Sequence, residues 1–360
     1  VDAPFFISGT ASMNKNPRVS IGLPVYNAVN YLDECISALL AQSFTDFQII
    51  ISDNASTDGT EKLCHEWCRR DERIRYVRQP VNRGSIWNHN QVFLLSQGEY
   101  FKWMGHDDLY ASDWLEKCVQ LLDKQPDVVW CHTQTLHIDF QGTVVPAHED
   151  PAIPSGKTAH SLLFTGGELP PVTRADSDPC KRFHAVILGT TWCADAYGLI
   201  RSSVLKQTHL FPTCYGPEKV LMAELALFGR YSEIPEVLSY KRFHAEASSG
   251  SSDSKKKRGF VQGTKRKYLR SDRLTLLRGY CVAVWNSPLS VRQKIQCFGM
   301  IARYVLQVRK YRRLLSGLSG PVLPKSSVQS ASRVVLDSSP VVPSLRGHAG
   351  SVFAGTNNVH

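Results

Sequence analysis

The stretch VSIGLPVYNAVNYLDECISALLAQSFTDFQIIISDNASTDGT, residues 19–60, decides the fold. It opens on VSIGLPV (19–25), a short apolar run with Pro24 near its end, the pattern of a buried strand running into a loop. Leu32, Cys35, Ile36, Leu39 and Leu40 then recur at helical spacing on one face. FQIIIS (47–52) reads as a second buried strand. Asp58 and Glu61 stand at capping-box spacing, which starts a helix near Gly59. Strands and helices alternating through short loops imply an α/β chain with a mainly parallel sheet flanked by helices.

The alternation continues outward. IRYVRQ (74–79) is a third strand, SIWNHNQVFLLSQ (85–97) a third helix and EYFKWM (99–104) a fourth strand. A helix over 113–124 and the strand DVVWCHT (127–133) follow. In such sheets ligands bind outside the carboxyl ends of the strands. Three polar features fall there: the Pro24–Asn27 loop, Asp53, and the Asp107–Asp108 pair in FKWMGHDDLY (101–110). Adjacent carboxylates repel each other unless a cation sits with them, although capping the helix that follows is the plainer use of the same pair. After the first strand, PVYNAVNY lacks the glycines of a dinucleotide-binding turn. A glycine-rich loop ending in Gly-Lys-Ser/Thr is also missing, which excludes that NTPase class.

Beyond residue 140 the pattern loosens. PAIPSG (151–156) and TGGELPP (165–171) are loop-like, followed by YGLIRSSVL (197–205). PEKVLMAELALFGR (217–230) is a helix with Pro217 at its first position and Glu218 in its first turn. EIPEVLSYKRFH (233–244) is a strand ending at His244. ASSGSSDSKKKRG (247–259) marks a boundary, and 265–315 carry basic amphipathic helices. The expected division is a disordered or tag-like N-terminus (1–17), two halves of one domain (18–140 and 141–250), a basic helical extension (251–315) and a disordered tail (316–360).

The net charge of +10 is concentrated in one region. Residues 254–315 hold seventeen Lys or Arg against the single acid Asp272, so the rest of the chain is net acidic. No run of about 18 apolar residues spans a bilayer. The N-terminus lacks the basic start and apolar core of a secretory leader, and Met13 is a candidate natural start. The ten cysteines form no small-domain framework and read as free thiols of a reducing cytosol. Cys64 and Cys68 have a spacing that a metal could use, but they also lie in a plain apolar stripe with Leu63 and Trp67.

The residues just quoted, with NRG (82–84) and WMGHDDLY (103–110), resemble family 2 glycosyltransferases of the GT-A fold, a Rossmann-like architecture. The resemblance covers about 18–245 and makes 18–140 the nucleotide-sugar-binding half and 141–250 the acceptor-binding half. It implies inverting transfer of a sugar from a nucleoside-diphosphate sugar, UDP-sugar favoured, to a hydroxyl of a glycan or lipid-linked acceptor in cell-envelope or polysaccharide biosynthesis. Pro24, Tyr26, Asn27, Asp53, Arg83 and Asp107 become donor-binding residues. Turn chemistry is the alternative use of Asp53, and a solvated charge that of Arg83. Asp107, supported by Asp108 and by His244, becomes the site of Mg²⁺ or Mn²⁺. The usual Asp-x-Asp would put its first aspartate at Gly105, so this chain departs from that pattern, with His106 at the variable middle position.

An inverting transfer needs a base, and the family's position for it falls on Glu218, with Glu224 and Asp195 as second and third choices. A helix N-terminus favours the ionised carboxylate a base requires. In the basic extension Phe260, Tyr268, Leu269, Leu274, Leu277, Tyr280, Val284 and Trp285 interleave with cations, as in helices lying on an anionic membrane. A cytoplasmic protein with peripheral contact to the inner membrane face is the expectation. Nucleic acid is the less favoured partner for that charge, and a catalytically silent nucleotide-sugar binder is the other alternative.

Overall fold

Buried runs become strands and amphipathic runs become helices largely where the periodicity puts them. The computed structural model describes residues 7–8, 17–145, 174–190, 193–214, 216–244 and 272–306. In chain order these form β1 (Ile7–Ser8), β2 (Val19–Val25), α1 (Leu32–Leu40), β3 (Phe47–Asp53), α2 (Thr60–Arg70), β4 (Ile74–Arg78), α3 (Ser85–Leu94), β5 (Tyr100–Trp103) and β6 (Leu109–Tyr110). Then come α4 (Trp114–Lys124), β7 (Val128–Ile138), α5 (Pro179–His184), β8 (Leu199–Arg201), α6 (Ser202–Leu205), α7 (Glu218–Phe228), β9 (Arg230–Arg242), α8 (Asp272–Asn286) and α9 (Val291–Leu306).

Among the described residues there is one sheet, ordered β1-β4-β3-β2-β5-β8-β7-β9-β6. β2, β3, β4, β5, β7 and β9 run one way, and β1, β6 and β8 run against them. The parallel ladders are long, and each antiparallel one pairs only two residues on a strand. The carboxyl ends of six strands therefore share one edge. Helices α1, α2 and α4 cover one face around Leu32, Ile36, Cys64, Trp114 and Leu122. Helices α3, α5, α7, α8 and α9 cover the other around Phe93, Phe183, Leu221, Tyr280 and Ile301. Gly22 lets α3 press onto the sheet, since a Cβ there would meet Val92 at 2.7 Å.

Several expectations shift. Within the stretch read as disordered or tag-like, Ile7–Ser8 pairs antiparallel with β4. The two halves share one sheet, β8 lying between β5 and β7. Helices α8 and α9 bury Leu276, Tyr280, Val284, Cys297 and Ile301 in the same core as α7, so this part of the basic extension is built into the fold. Tyr280 and Val284 are thus core residues and not part of an outer apolar face. Pro217 caps α7 from outside, one residue before its expected place. Asp58 caps Thr60 N–H at 2.9 Å, but Glu61 does not reciprocate and Gly59 is the cap residue. The expected tail, Phe260, Tyr268 and Leu269 lie outside the described residues.

Candidate active site

Strand direction assembles the site. β5 carries the chain to the carboxyl edge, and β6 turns back to pair with β9, Leu109 opposite Tyr240. That pairing lays Asp107 and Asp108 beside the end of β9. His244 Nε2 lies 3.0 Å from Asp107 Oδ2, and the Arg242 N–H donates to Asp108 Oδ1 at 3.1 Å. Burial pushes the Asp108 carboxyl up, and the Asp107 charge adds to it. Partial burial works the same way on Asp107, but the hydrogen bond from His244 and the nearby imidazoles outweigh it and hold that carboxyl below the usual carboxylate range. Two carboxylates sharing one site titrate apart in this way.

The remaining two carboxylate oxygens converge. A carbon at the Cβ position of Gly105 would stand 2.8 Å from Asp107 Oδ1 and 3.0 Å from Asp108 Oδ2. Among the described residues no group of three or more His, Cys, Asp or Glu forms an ion cage by itself. Two carboxylate oxygens turned to one point, with an imidazole beside them, suit a hard divalent cation that draws its other ligands from phosphate and water. Mg²⁺ or Mn²⁺ fits that donor set.

Two buried cations frame the pair. Arg242, 1% exposed, donates from Nε to the Asp107 carbonyl at 2.9 Å and from Nη2 to Glu34 Oε2 on α1 at 2.7 Å. Its guanidinium lies 5.0 Å from the Tyr31 ring centre, and Tyr31 in turn contacts the His244 ring. Lys102, on β5 beneath the pair, donates to the Tyr197 carbonyl at 2.7 Å and lies over the Tyr110 and Trp114 rings. Burial lowers it to about 7, against the pull of nearby thiols and Asp108. Neither residue was singled out from the sequence. A lysine inside an apolar strand was the available signal for Lys102, whereas Arg242 reads as an ordinary strand-end charge.

The donor-side residues line the same edge. Tyr26 and Asn27 are exposed and Pro24 is half-buried at the end of β2. Asn27 Oδ1 accepts from Thr57 N–H at 2.9 Å, which joins the loops after β2 and β3. Asp53 is fully buried, and its oxygens accept from Ser56 N–H, Ser56 Oγ, Tyr76 Oη and Arg78 Nη1 at 2.6–3.0 Å. Its carboxylate therefore organises the 53–57 turn, and this engagement occupies the oxygens expected to receive a base or ribose. Arg83 is exposed, with its guanidinium over the Trp87 ring.

The three base candidates separate. Asp195 is buried and ion-paired with Arg174. Glu224 is buried and accepts from His209 N–H at 3.0 Å, with His209 Nδ1 at 2.6 Å from its other oxygen. Glu218, at the start of α7, is half-buried, and burial raises its carboxyl while its own N–H, Lys241 and Lys219 pull it down. Burial pushes the Tyr197 hydroxyl well up, and the charges of Glu218, Asp108 and Asp107 add to it, so all three carboxylates lie within electrostatic reach of its ring.

This architecture is the GT-A fold. Over 80% of the chain and 71% of the solved structure, it is similar to S. aureus TarS 1–349 in complex with UDP-GlcNAc, with a TM-score of 0.54 at 18% identity. Residues 20–162 match Glycosyl transferase family 2. Chondroitin synthase of Escherichia coli is 29% identical over 136 residues, 38% of this chain and 20% of the relative. Glycosyltransferase GlyG of Streptococcus pneumoniae serotype 4 is 30% identical over 112 residues, 31% of this chain and 37% of the relative. The chain thus matches well under half the length of these relatives.

Proposed function

We propose that the chain is an inverting glycosyltransferase that moves a sugar from a nucleoside-diphosphate sugar, UDP-sugar favoured, to a hydroxyl of a glycan or lipid-linked acceptor. The observation that carries this reading is the meeting of Asp107, Asp108 and His244 at one strand edge, with Tyr197 within electrostatic reach of both that pair and Glu218. The UDP-GlcNAc bound by TarS and the polysaccharide product named for chondroitin synthase support the donor class and a role in polysaccharide or envelope assembly.

In the reaction the bond from the anomeric carbon to the diphosphate oxygen breaks as the acceptor oxygen bonds to the opposite face of that carbon. Glu218 takes the acceptor's proton, and the nucleoside diphosphate leaves with the bonding electron pair. Its raised pKa brings this base nearer to neutrality, where general-base transfer is more effective. Asp107 and Asp108, steadied by His244 and Arg242, would hold Mg²⁺ or Mn²⁺, which supplies neutralisation of the charge developing on the diphosphate. Tyr26, Asn27 and Arg83 line the edge available to the nucleoside.

Among the described residues no helix is long and apolar enough to cross a membrane. Leu274, Trp285, Val291, Ile295 and Leu306 are exposed on α8 and α9 among Arg273, Arg278, Arg292, Lys294 and Arg303. Such a mixed surface supports peripheral contact with an anionic membrane, on the cytoplasmic side.

The test is a panel of nucleotide sugars with and without Mn²⁺, read by thermal shift and then by release of the nucleoside diphosphate. Turnover of one donor, with an inverted anomeric product by NMR, is expected. UDP binding with no turnover of any donor on any acceptor would favour the silent-binder alternative, for which the departure at Gly105 is the specific argument.

A further inference from the structure

We propose that Cys180 and Cys297 form a redox-sensitive latch, a dithiol that closes to a disulfide and fastens helix α9 to α5. The inference goes beyond the glycosyltransferase reading. It uses no residue of the proposed site, so the two stand or fall separately.

Cys297 Sγ lies 3.6 Å from Cys180 Sγ, although 117 residues separate them in the chain, and both free thiols are buried. Cys180 Sγ also donates to the Gln293 carbonyl at 3.6 Å, one turn before Cys297 on α9. The two sulfurs thus face each other across a helix contact, and a bond needs them to close to about 2.05 Å. Their helices are held unequally. Cys180 sits at the start of α5, where its N–H donates to Asp178 Oδ1 at 2.8 Å. Arg182, on the same helix, donates to the Ala226 carbonyl of α7 at 2.7 Å, which fixes α5 to the core. Helix α9 is held more lightly. Cys297 and Ile301 are the buried side chains of its 16 residues, and Val291 and Ile295 stand outside. A helix anchored by so few buried groups opens locally at lower free energy than the sheet beneath it. That opening exposes thiols that are inert while buried. Burial raises both of them. The hydrogen bond from Cys297 offsets the rise at Cys180, whereas the same contact adds to the rise at Cys297. Cys180 is therefore the thiol that ionises and attacks first. With glutathione disulfide as oxidant, the Cys180 thiolate bonds to one glutathione sulfur and expels the other as a thiolate. Cys297, deprotonated in turn, attacks the Cys180 sulfur and expels the second glutathione. The two protein thiols give up two protons and two electrons, and one glutathione disulfide leaves as two glutathione thiols. In a reducing compartment such a pair rests open and closes transiently.

The test incubates the full chain in mixtures of reduced and oxidised glutathione and maps its non-reduced peptides by mass spectrometry. Expected is a peptide joining Cys180 to Cys297 that forms ahead of every other cysteine pair and parts again in dithiothreitol. Hydrogen exchange over residues 291–306 should then slow by about tenfold or more, because the bond blocks the opening of α9. Cys297→Ala, treated in the same way, should show no such slowing, and Cys180→Ala gives the same control from the other helix. Cys180 and Cys297 remaining unlinked in the folded chain, or joining only after unfolding in urea, overturns the inference. A linked pair with unchanged exchange over 291–306 overturns the latch as well. The wild-type peptide map decides the bond without any variant.

Discussion

At the residue scale the proposed chemistry turns on Glu218. A base acts in its ionised form, so a pKa raised by burial moves the acid limb of the rate profile upward. The activity should be complete above that limb and fall as pH drops through it, with the limb above the ordinary glutamate value of 4.5. Glu218→Gln should lower kcat by about 10²–10⁴-fold while donor affinity is kept. A pH-rate profile of both proteins checks this, and a normal rate in the variant would move the base elsewhere. The place of Glu218 at a helix start was legible because a carboxylate follows a proline there. The choice among Glu218, Glu224 and Asp195 was not, because it depends on His209 and Arg174, which reach those carboxylates only in the folded chain.

Among the elements, β9 is the keystone, and Arg242 shows why. Its buried guanidinium joins β9, the Asp107 peptide and α1. Arg242→Met leaves those acceptors unpaired and should cost about 3 kcal/mol or more. Glu34→Gln should cost less than about 1 kcal/mol, because Glu34 is 52% exposed and solvent screens the pair. Urea unfolding of both variants checks this asymmetry, and equal losses would refute it. The strands and helices up to residue 133 were legible because 2.0 and 3.6 periodicities survive in a buried α/β sheet. The length of β7, read to 133 and found to 138, was not, because it is set by pairing with β9, about a hundred residues away. Nor was the role of β6, only two residues long, without which the aspartates and His244 would not meet.

For the whole molecule, the placement of the basic extension matters most. Composition showed its charge but could not show that one face of α8 and of α9 enters the core, because a helix facing a sheet and one facing a membrane share one periodicity. The structure leaves Trp285, Val291 and Ile295 outside at 72%, 76% and 67% exposure. Trp285→Ser with Ile295→Glu should abolish co-sedimentation with anionic phosphatidylglycerol vesicles and change stability by no more than about 0.5 kcal/mol per site. Retained vesicle binding would exclude this surface as the contact.

The central claim is that the aspartate pair at the tip of β5 holds the donor's diphosphate through a divalent cation. Calorimetry of UDP binding with and without Mn²⁺, on wild type and Asp107→Ala, reads it most directly. Wild type should bind UDP far more tightly with Mn²⁺, and Asp107→Ala should lose that difference. Unchanged Mn²⁺ and UDP affinity in Asp107→Ala would contradict the account.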